Sequence, residues 1–161
     1  MRGLEDFGAY LVLQGKVEVA AAFLHRLVEE GLDPMLVSPN DIDISSDDKI
    51  TVLEPDRANR AIRADGLLLL LSSLTRHLSR GEGKAVIIFG LQALRDSNDF
   101  RDLTNFIGRL NDEACVNQGL VLIMADPEKF TRQELAFLER ETMVLEGPEQ
   151  LFDLNTSETV K

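Results

Sequence analysis

Cysteine, histidine and tryptophan are scarce in this sequence of 161 residues, which contains one cysteine, two histidines and no tryptophan. A single cysteine cannot form a disulfide within the chain, and it excludes zinc sites that use several cysteines. Two histidines, His25 and His77, are too few for a histidine-rich metal site. The composition therefore predicts no metal centre, and we expect no other cofactor.

Long apolar runs are also absent. The longest, at residues 66–71, is much shorter than the roughly 20 apolar residues that a transmembrane helix requires. The N-terminal residues contain no basic region followed by an apolar stretch, so no secretory signal is predicted. We therefore expect a cytoplasmic protein with no membrane partner.

Basic residues are outnumbered by acidic ones. Lys and Arg total 17 against 28 for Asp and Glu, which gives a formal net charge of −11. A surface of this sign repels nucleic-acid phosphates and anionic lipid headgroups, so nucleic-acid binding is not expected. A basic nucleic-acid interface would need these side chains to converge on one face: Lys16, Arg26, Arg57, Arg60, Arg63, Arg76 and Arg80.

Strand-like and helix-like segments alternate along the chain. Strands are predicted at residues 9–14, 34–38, 50–53, 85–89, 120–125 and 142–146. Helices are predicted at residues 16–30, 58–79, 98–117 and 135–140. Strands 85–89 and 120–125 are apolar at consecutive positions, which indicates burial on both faces. The pattern predicts an α/β fold, a three-layer αβα sandwich around a mostly parallel central sheet.

Capping signals refine these boundaries. Gly31 is positioned to end the first helix, and Asp65 with Gly66 is a candidate break early in the second. Further helix starts are predicted at Asn98, at Asp126 followed by proline, and at the capping box of residues 131–134. We expect a single domain over residues 1–147, followed by a polar C-terminal tail at 148–161.

Candidate ligand-binding residues follow from the fold. Open α/β sheets bind their ligands beyond the carboxyl ends of the strands. Four polar residues lie in the segments after predicted strands, namely Lys16, Asn40, Arg95 and Asp126. These are the candidate binding residues, and no residue is predicted to be catalytic.

The turn at Gly15 and Lys16 has the strand–glycine–lysine–helix order of a phosphate-binding loop. A working loop has a glycine, four spacers and then Gly-Lys-Ser/Thr, because several backbone N–H groups must surround the phosphates. Here the spacers are missing, and Val17 replaces the hydroxyl that binds magnesium. A plain tight turn is therefore the favoured interpretation.

The end of strand 85–89 also lacks a residue that phosphate chemistry needs. Nucleotidases of this layout have an acid there that holds magnesium, whereas this chain has Phe89, which offers no oxygen ligand. Asp96, Asp99 and Asp102 follow, and their placement near a helix start is explained by the helix dipole.

Several short motifs resemble one known family over nearly the whole chain. They include residues 86–88 followed by Gly90 and Leu91, then Asp126 with its proline, and residues 134–135 with 138–139. With these the chain resembles the domain-of-unknown-function 835 family, regarded as a relative of the RecA/KaiC-type ATPase fold that lacks the phosphate-binding loop. The resemblance implies a RecA/KaiC-like domain with a regulatory role and no established activity. That family commonly has Asp at position 89 and Glu or a similar polar residue at position 92, where this chain has Phe89 and Gln92.

Three functions follow as hypotheses. The first is a non-catalytic pseudo-ATPase domain that binds a protein partner or assembles into a homo-oligomer, in signalling or regulation. The second is a sensor that binds a nucleotide or another small molecule without hydrolysis through Lys16, Asn40 and Arg95. The third is an enzyme that uses Asp126, Glu128 or Asp96.

Overall fold

A parallel β-sheet forms the centre of the molecule. The computed structural model describes residues 7–39, 42–53 and 62–148. Its strands are β1 Gly8–Val12, β2 Asp33–Pro39, β3 Lys49–Leu53, β4 Ile62–Arg63, β5 Lys84–Ile88, β6 Leu120–Met124 and β7 Met143–Leu145. They form one seven-stranded sheet in the order β4-β3-β2-β5-β6-β1-β7, and each neighbouring pair is parallel. The predicted α/β class is confirmed.

Helices cover both faces of this sheet. They are α1 Val17–Glu29, α2 Leu67–Leu78, α3 Leu91–Ser97, α4 Phe100–Val116 and α5 Arg132–Glu141, with a 3₁₀ turn at Pro127–Lys129. Along β1, Tyr10 and Val12 pack into the same cluster as α1, whereas Ala9 and Leu11 pack with the other helices. This division confirms the three-layer sandwich. No described helix combines the length and the hydrophobicity that a bilayer-spanning segment requires.

The first helix ends as its sequence predicts. Gly31 has a φ of +85°, the left-handed conformation that glycine adopts without steric cost. Its N–H donates to the carbonyl of Val28, and the N–H of Leu32 donates to the carbonyl of Leu27. These two bonds form a Schellman motif, which satisfies carbonyls at the helix end.

The predicted start of the second helix is wrong. The second helix begins at Leu67, and Ile62, which was assigned to it, lies in the short strand β4. A turn separates β4 from α2, and in it the Gly66 N–H donates a hydrogen bond to the Arg63 carbonyl. Gly66, the candidate break in the predicted helix, is therefore the residue just before the observed start. Residues 54–61 lie outside the described residues, as do Asn40 and the tail from 149.

The segment after β5 holds a helix that the sequence pattern did not reveal. α3 precedes α4, whose N-cap is Asp99 rather than the predicted Asn98. The Asn98 side-chain amide instead donates to the carbonyls of Ala64 and Leu94, both at 2.8 Å. Asn98 therefore closes α3 and ties it to the turn before α2.

Candidate functional site

The carboxyl ends of β1 and β6 form the edge at which two of the candidates lie. Val12 is paired with Met124 at the ends of these strands, and the Ala125 N–H donates to the Val12 carbonyl at 3.0 Å. The turn that carries Gly15 and the segment that carries Asp126 therefore leave the sheet side by side.

Asp126 packs directly on Gly15. A methyl group placed on Gly15 would lie 2.7 Å from both Cβ and Oδ2 of Asp126. The other carboxylate oxygen of Asp126 accepts a hydrogen bond from the Glu128 N–H at 3.0 Å, which caps the 3₁₀ turn. The predicted capping acid is thus confirmed, and its side chain lies against the turn that resembles a phosphate-binding loop.

Lys16 is the N-cap residue of α1. Its carbonyl accepts hydrogen bonds from the N–H groups of Val19 and Ala20, which begins the helix. Its side chain is exposed and caps no helix N–H group. Lys16 therefore lies at the expected edge with its ammonium group in solvent.

Arg95 is held by the structure around it. Its guanidinium donates to Glu134 Oε1 and to the Lys129 carbonyl, both at 2.7 Å, and to Asp96 Oδ1 at 2.8 Å. It also lies over the ring of Phe130, 4.7 Å from the ring centroid. These contacts tie α3 to the start of α5, so they give Arg95 a structural role at this edge.

The Glu134 side chain has two roles at the start of α5. Its Oε1 accepts from the Thr131 N–H at 2.8 Å, while the Glu134 N–H donates to Thr131 Oγ1 at 3.1 Å. The predicted capping box is therefore confirmed. The same oxygen accepts from Arg95, so the cap and the Arg95 contacts are one network.

The end of β5 is closed by packing. Phe89 is buried in the cluster formed with α1, and its N–H donates to the Val37 carbonyl at 2.8 Å. Gly90 follows with a φ of +74° and packs so tightly on Pro39 that an added methyl group would lie 2.6 Å from Pro39 Cγ. Asn40, the remaining candidate, lies outside the described residues.

Two buried polar atoms were missed by sequence reasoning. His77 Nδ1 and Gln92 Oε1 have no hydrogen-bond partner among the described residues. His77 is only 1% exposed. The spacing of His77 could have predicted this burial. His77 lies three residues after Leu74 and seven after Leu70, so it shares the helix face of these buried leucines.

Two surface grooves lie on the helix layers. One, of about 630 Å³, lies between α2 and α4 and is lined by Leu67, Leu68, Leu71 and Phe106 among others. The other, of about 700 Å³, lies between α1 and residues 43–48. In the described ranges, no three His, Cys, Asp or Glu side chains are grouped to hold a metal ion.

A known family matches most of the chain. The family model described as "Protein of unknown function (DUF835)" matches residues 13–142. No curated protein matches the chain. The matched range extends from the Gly15 turn through α5, so it includes Lys16, Arg95 and Asp126.

Proposed function

The chain belongs to the DUF835 family, a family of unknown function, and we propose that it is a non-catalytic domain that acts by binding other proteins. In this proposal the domain derives from the RecA/KaiC-type ATPase layout and has lost the ability to hold a nucleotide. It works in signalling or regulation, with a protein partner or as a homo-oligomer. Its expected compartment is the cytoplasm.

The packing of Asp126 on Gly15 is the observation that carries this proposal. A phosphate-binding loop must present free backbone N–H groups to an anion. Here the Asp126 side chain lies so close to Gly15 that an added methyl group would be 2.7 Å from its Oδ2, which puts a negative charge beside the turn. A phosphate about 4 Å from that carboxylate would meet a repulsion of about 1–4 kcal/mol for each pair of unit charges.

The packing at the end of β5 also supports the proposed loss of nucleotide binding. Phe89 is buried among apolar side chains on the α1 face. Magnesium requires oxygen ligands and near-octahedral geometry, which this side chain cannot supply. Both positions that would handle a nucleotide phosphate and its metal are therefore filled by packing contacts.

Exposed apolar side chains support a role in protein binding. Leu68, at the first turn of α2, is 84% exposed, and the adjacent Leu69 is 61% exposed. Both line the groove between α2 and α4. Grouped apolar side chains on a surface mark interaction sites more often than isolated ones do.

The sensor hypothesis has weaker support. It assigns ligand contacts to Arg95, whose guanidinium is already bound by Glu134, Asp96 and the Lys129 carbonyl. Freeing this side chain for a ligand would break the network that joins α3 to α5.

Thermal unfolding with nucleotides tests the proposal. We expect millimolar magnesium ATP, magnesium GTP or a cyclic dinucleotide to leave the melting temperature unchanged, because the β1–α1 turn offers no anion site. A ligand at about 100 times its Kd stabilises a protein by about 2.7 kcal/mol. For a domain of this size that corresponds to a shift of about 5–10 °C. A saturable upward shift with any of these nucleotides would overturn the proposal.

A further inference from the structure

The groove between α1 and residues 43–48 has an apolar wall on the helix side, and we refer to it as the α1 groove. Val17, Ala21, Leu24 and Val28 line it at spacings of three and four residues, so they form one stripe of α1. Val17 and Leu24 are half-buried and also pack against the core beneath α1, whereas Ala21 and Val28 are exposed. The apolar surface of α1 therefore extends beyond the side that faces the sheet, and its outer part is exposed.

The length of the stripe matches a helix better than a small molecule. From Val17 to Val28 the helix rises about 17 Å at 1.5 Å per residue, which is about three turns. Val28, at the far end, is 58% exposed. An extended apolar groove of this kind is typical of surfaces that bind an amphipathic helix along one face.

The opposite wall of the α1 groove is acidic. Asp33, Asp43, Asp47 and Asp48 all line it. Asp33 accepts a hydrogen bond from Lys84 Nζ at 2.8 Å, and this contact lowers the pKa of its carboxyl group. In the described part of the chain, no cation pairs with Asp43 or Asp47.

The nearby lysine does not neutralise this wall through an ion pair. Lys49 Nζ donates to the carbonyls of Ile42 and Ile44, at 3.4 and 3.2 Å. These bonds hold the backbone of the acidic segment in place. The α1 groove thus combines an apolar wall with a fixed row of carboxylates.

A buried histidine, His77, lies behind Asp48. His77 Nε2 lies 2.9 Å from the Asp33 carbonyl, which can only accept, so Nε2 carries a proton and donates to it. Nδ1 has no partner, and it faces Asp48 Oδ2 at 3.9 Å. At this distance His77 makes no hydrogen bond to the Asp48 carboxylate.

We propose that the α1 groove binds a basic amphipathic helix supplied by a protein partner. Its apolar side chains pack on the α1 stripe, and its Lys or Arg side chains pair with Asp43, Asp47 and Asp48. This inference rests on the proposed function and specifies the chemistry of the partner. A second copy of this chain is a poor occupant, because each copy carries a net charge of −11.

A synthetic peptide provides the probe. The peptide is a helix of about 18 residues with Leu at helical spacing on one side and Lys on the other. A scrambled peptide of the same composition controls for attraction by charge alone. Binding is measured by fluorescence anisotropy on the full chain, and we expect the amphipathic peptide to bind at least about tenfold more tightly than the scrambled one.

Two pairs of variants locate the binding. Val28→Lys removes an apolar contact and adds a positive charge, which repels the lysines of the peptide. We therefore expect the affinity for the peptide to fall about tenfold. Val116→Lys makes the same change at a 78% exposed valine on α4, across the sheet, and should change affinity less than about twofold. The double variant with Asp43→Asn and Asp47→Asn removes two carboxylates of the groove and should weaken binding about tenfold. Its control, the double variant with Asp112→Asn and Glu139→Gln, removes two carboxylates elsewhere and should leave binding unchanged.

Three outcomes would overturn the inference. Equal losses for Val28→Lys and Val116→Lys would show attraction by overall charge. Equal binding of the scrambled peptide would remove the helical requirement. Concentration-dependent dimerisation that Val28→Lys abolishes would assign the α1 groove to a second copy. Each of these leaves the nucleotide test of the proposed function unaffected, so the two claims fail separately.

Discussion

Replacing Phe23 with alanine is expected to lower the free energy of unfolding by about 3–5 kcal/mol. Phe23 is fully buried at the middle of the α1 side that faces the sheet, between Ala20 and Leu27. In the described ranges α1 is the one helix that covers this face of the sheet. The substitution therefore leaves a cavity between α1 and the sheet. Urea unfolding followed by circular dichroism measures the loss in the free energy of unfolding.

The matched control for this change is Phe137→Ala on α5. Phe137 is exposed, with an edge contact to Phe100 at 6.0 Å between ring centroids and Arg140 over its ring at 4.9 Å. We expect a loss of about 1 kcal/mol or less from these surface contacts. Equal losses for the two variants would contradict the assignment of Phe23 to the core beneath α1.

The second large effect is expected for Gly90→Ala, with a loss of about 2–4 kcal/mol in the free energy of unfolding. Gly90 has a φ of +74°, a conformation that disfavours a side chain. An added methyl group would also lie 2.6 and 2.8 Å from Cγ and Cδ of Pro39. Backbone strain and steric overlap therefore act together, and the same urea titration measures their sum.

Gly108→Ala is the control for Gly90→Ala. Gly108 lies inside α4, and apart from its neighbours and the helix backbone no atom of the described residues lies within 4 Å of where its methyl group would be. Alanine in a helix interior is favoured over glycine by about 0.5–1 kcal/mol, so this variant should gain stability. A Gly90→Ala protein as stable as the wild type would contradict the close packing at the end of β5.

The central strands and the first helix could be predicted because their signals are local. Five consecutive apolar residues predicted β5, and α1 was indicated by its apolar spacing and by Gly31. Helix α3 gave no such signal, because seven residues with Leu91 and Leu94 as the buried pair are too few for a period to show. Strand β4 has two residues and depends on its pairing with β3.

The candidate site was predictable only in outline. Sequence order placed Lys16 and Asp126 after strands, but the contact between Asp126 and Gly15 depends on β1 lying next to β6 in the sheet. The partners of Arg95 likewise come from the start of α5, which folds back beside α3. The sequence lacks the spacers of a phosphate-binding loop, and the structure adds that the Asp126 side chain lies against Gly15. A ligand-binding role for Asn40 stays a prediction.

Amide chemical shifts of the β1–α1 turn test the central claim most directly. Uniformly ¹⁵N-labelled protein would be titrated with magnesium ATP into the millimolar range while the signals of Gly15, Lys16 and Glu128 are followed. The Asp126 carboxylate lies against Gly15 and would repel a phosphate there, so the account predicts that none of the three signals moves in a saturable way. Saturable shifts of Gly15 and Lys16 together would contradict it, because they would place a phosphate where the structure has Asp126.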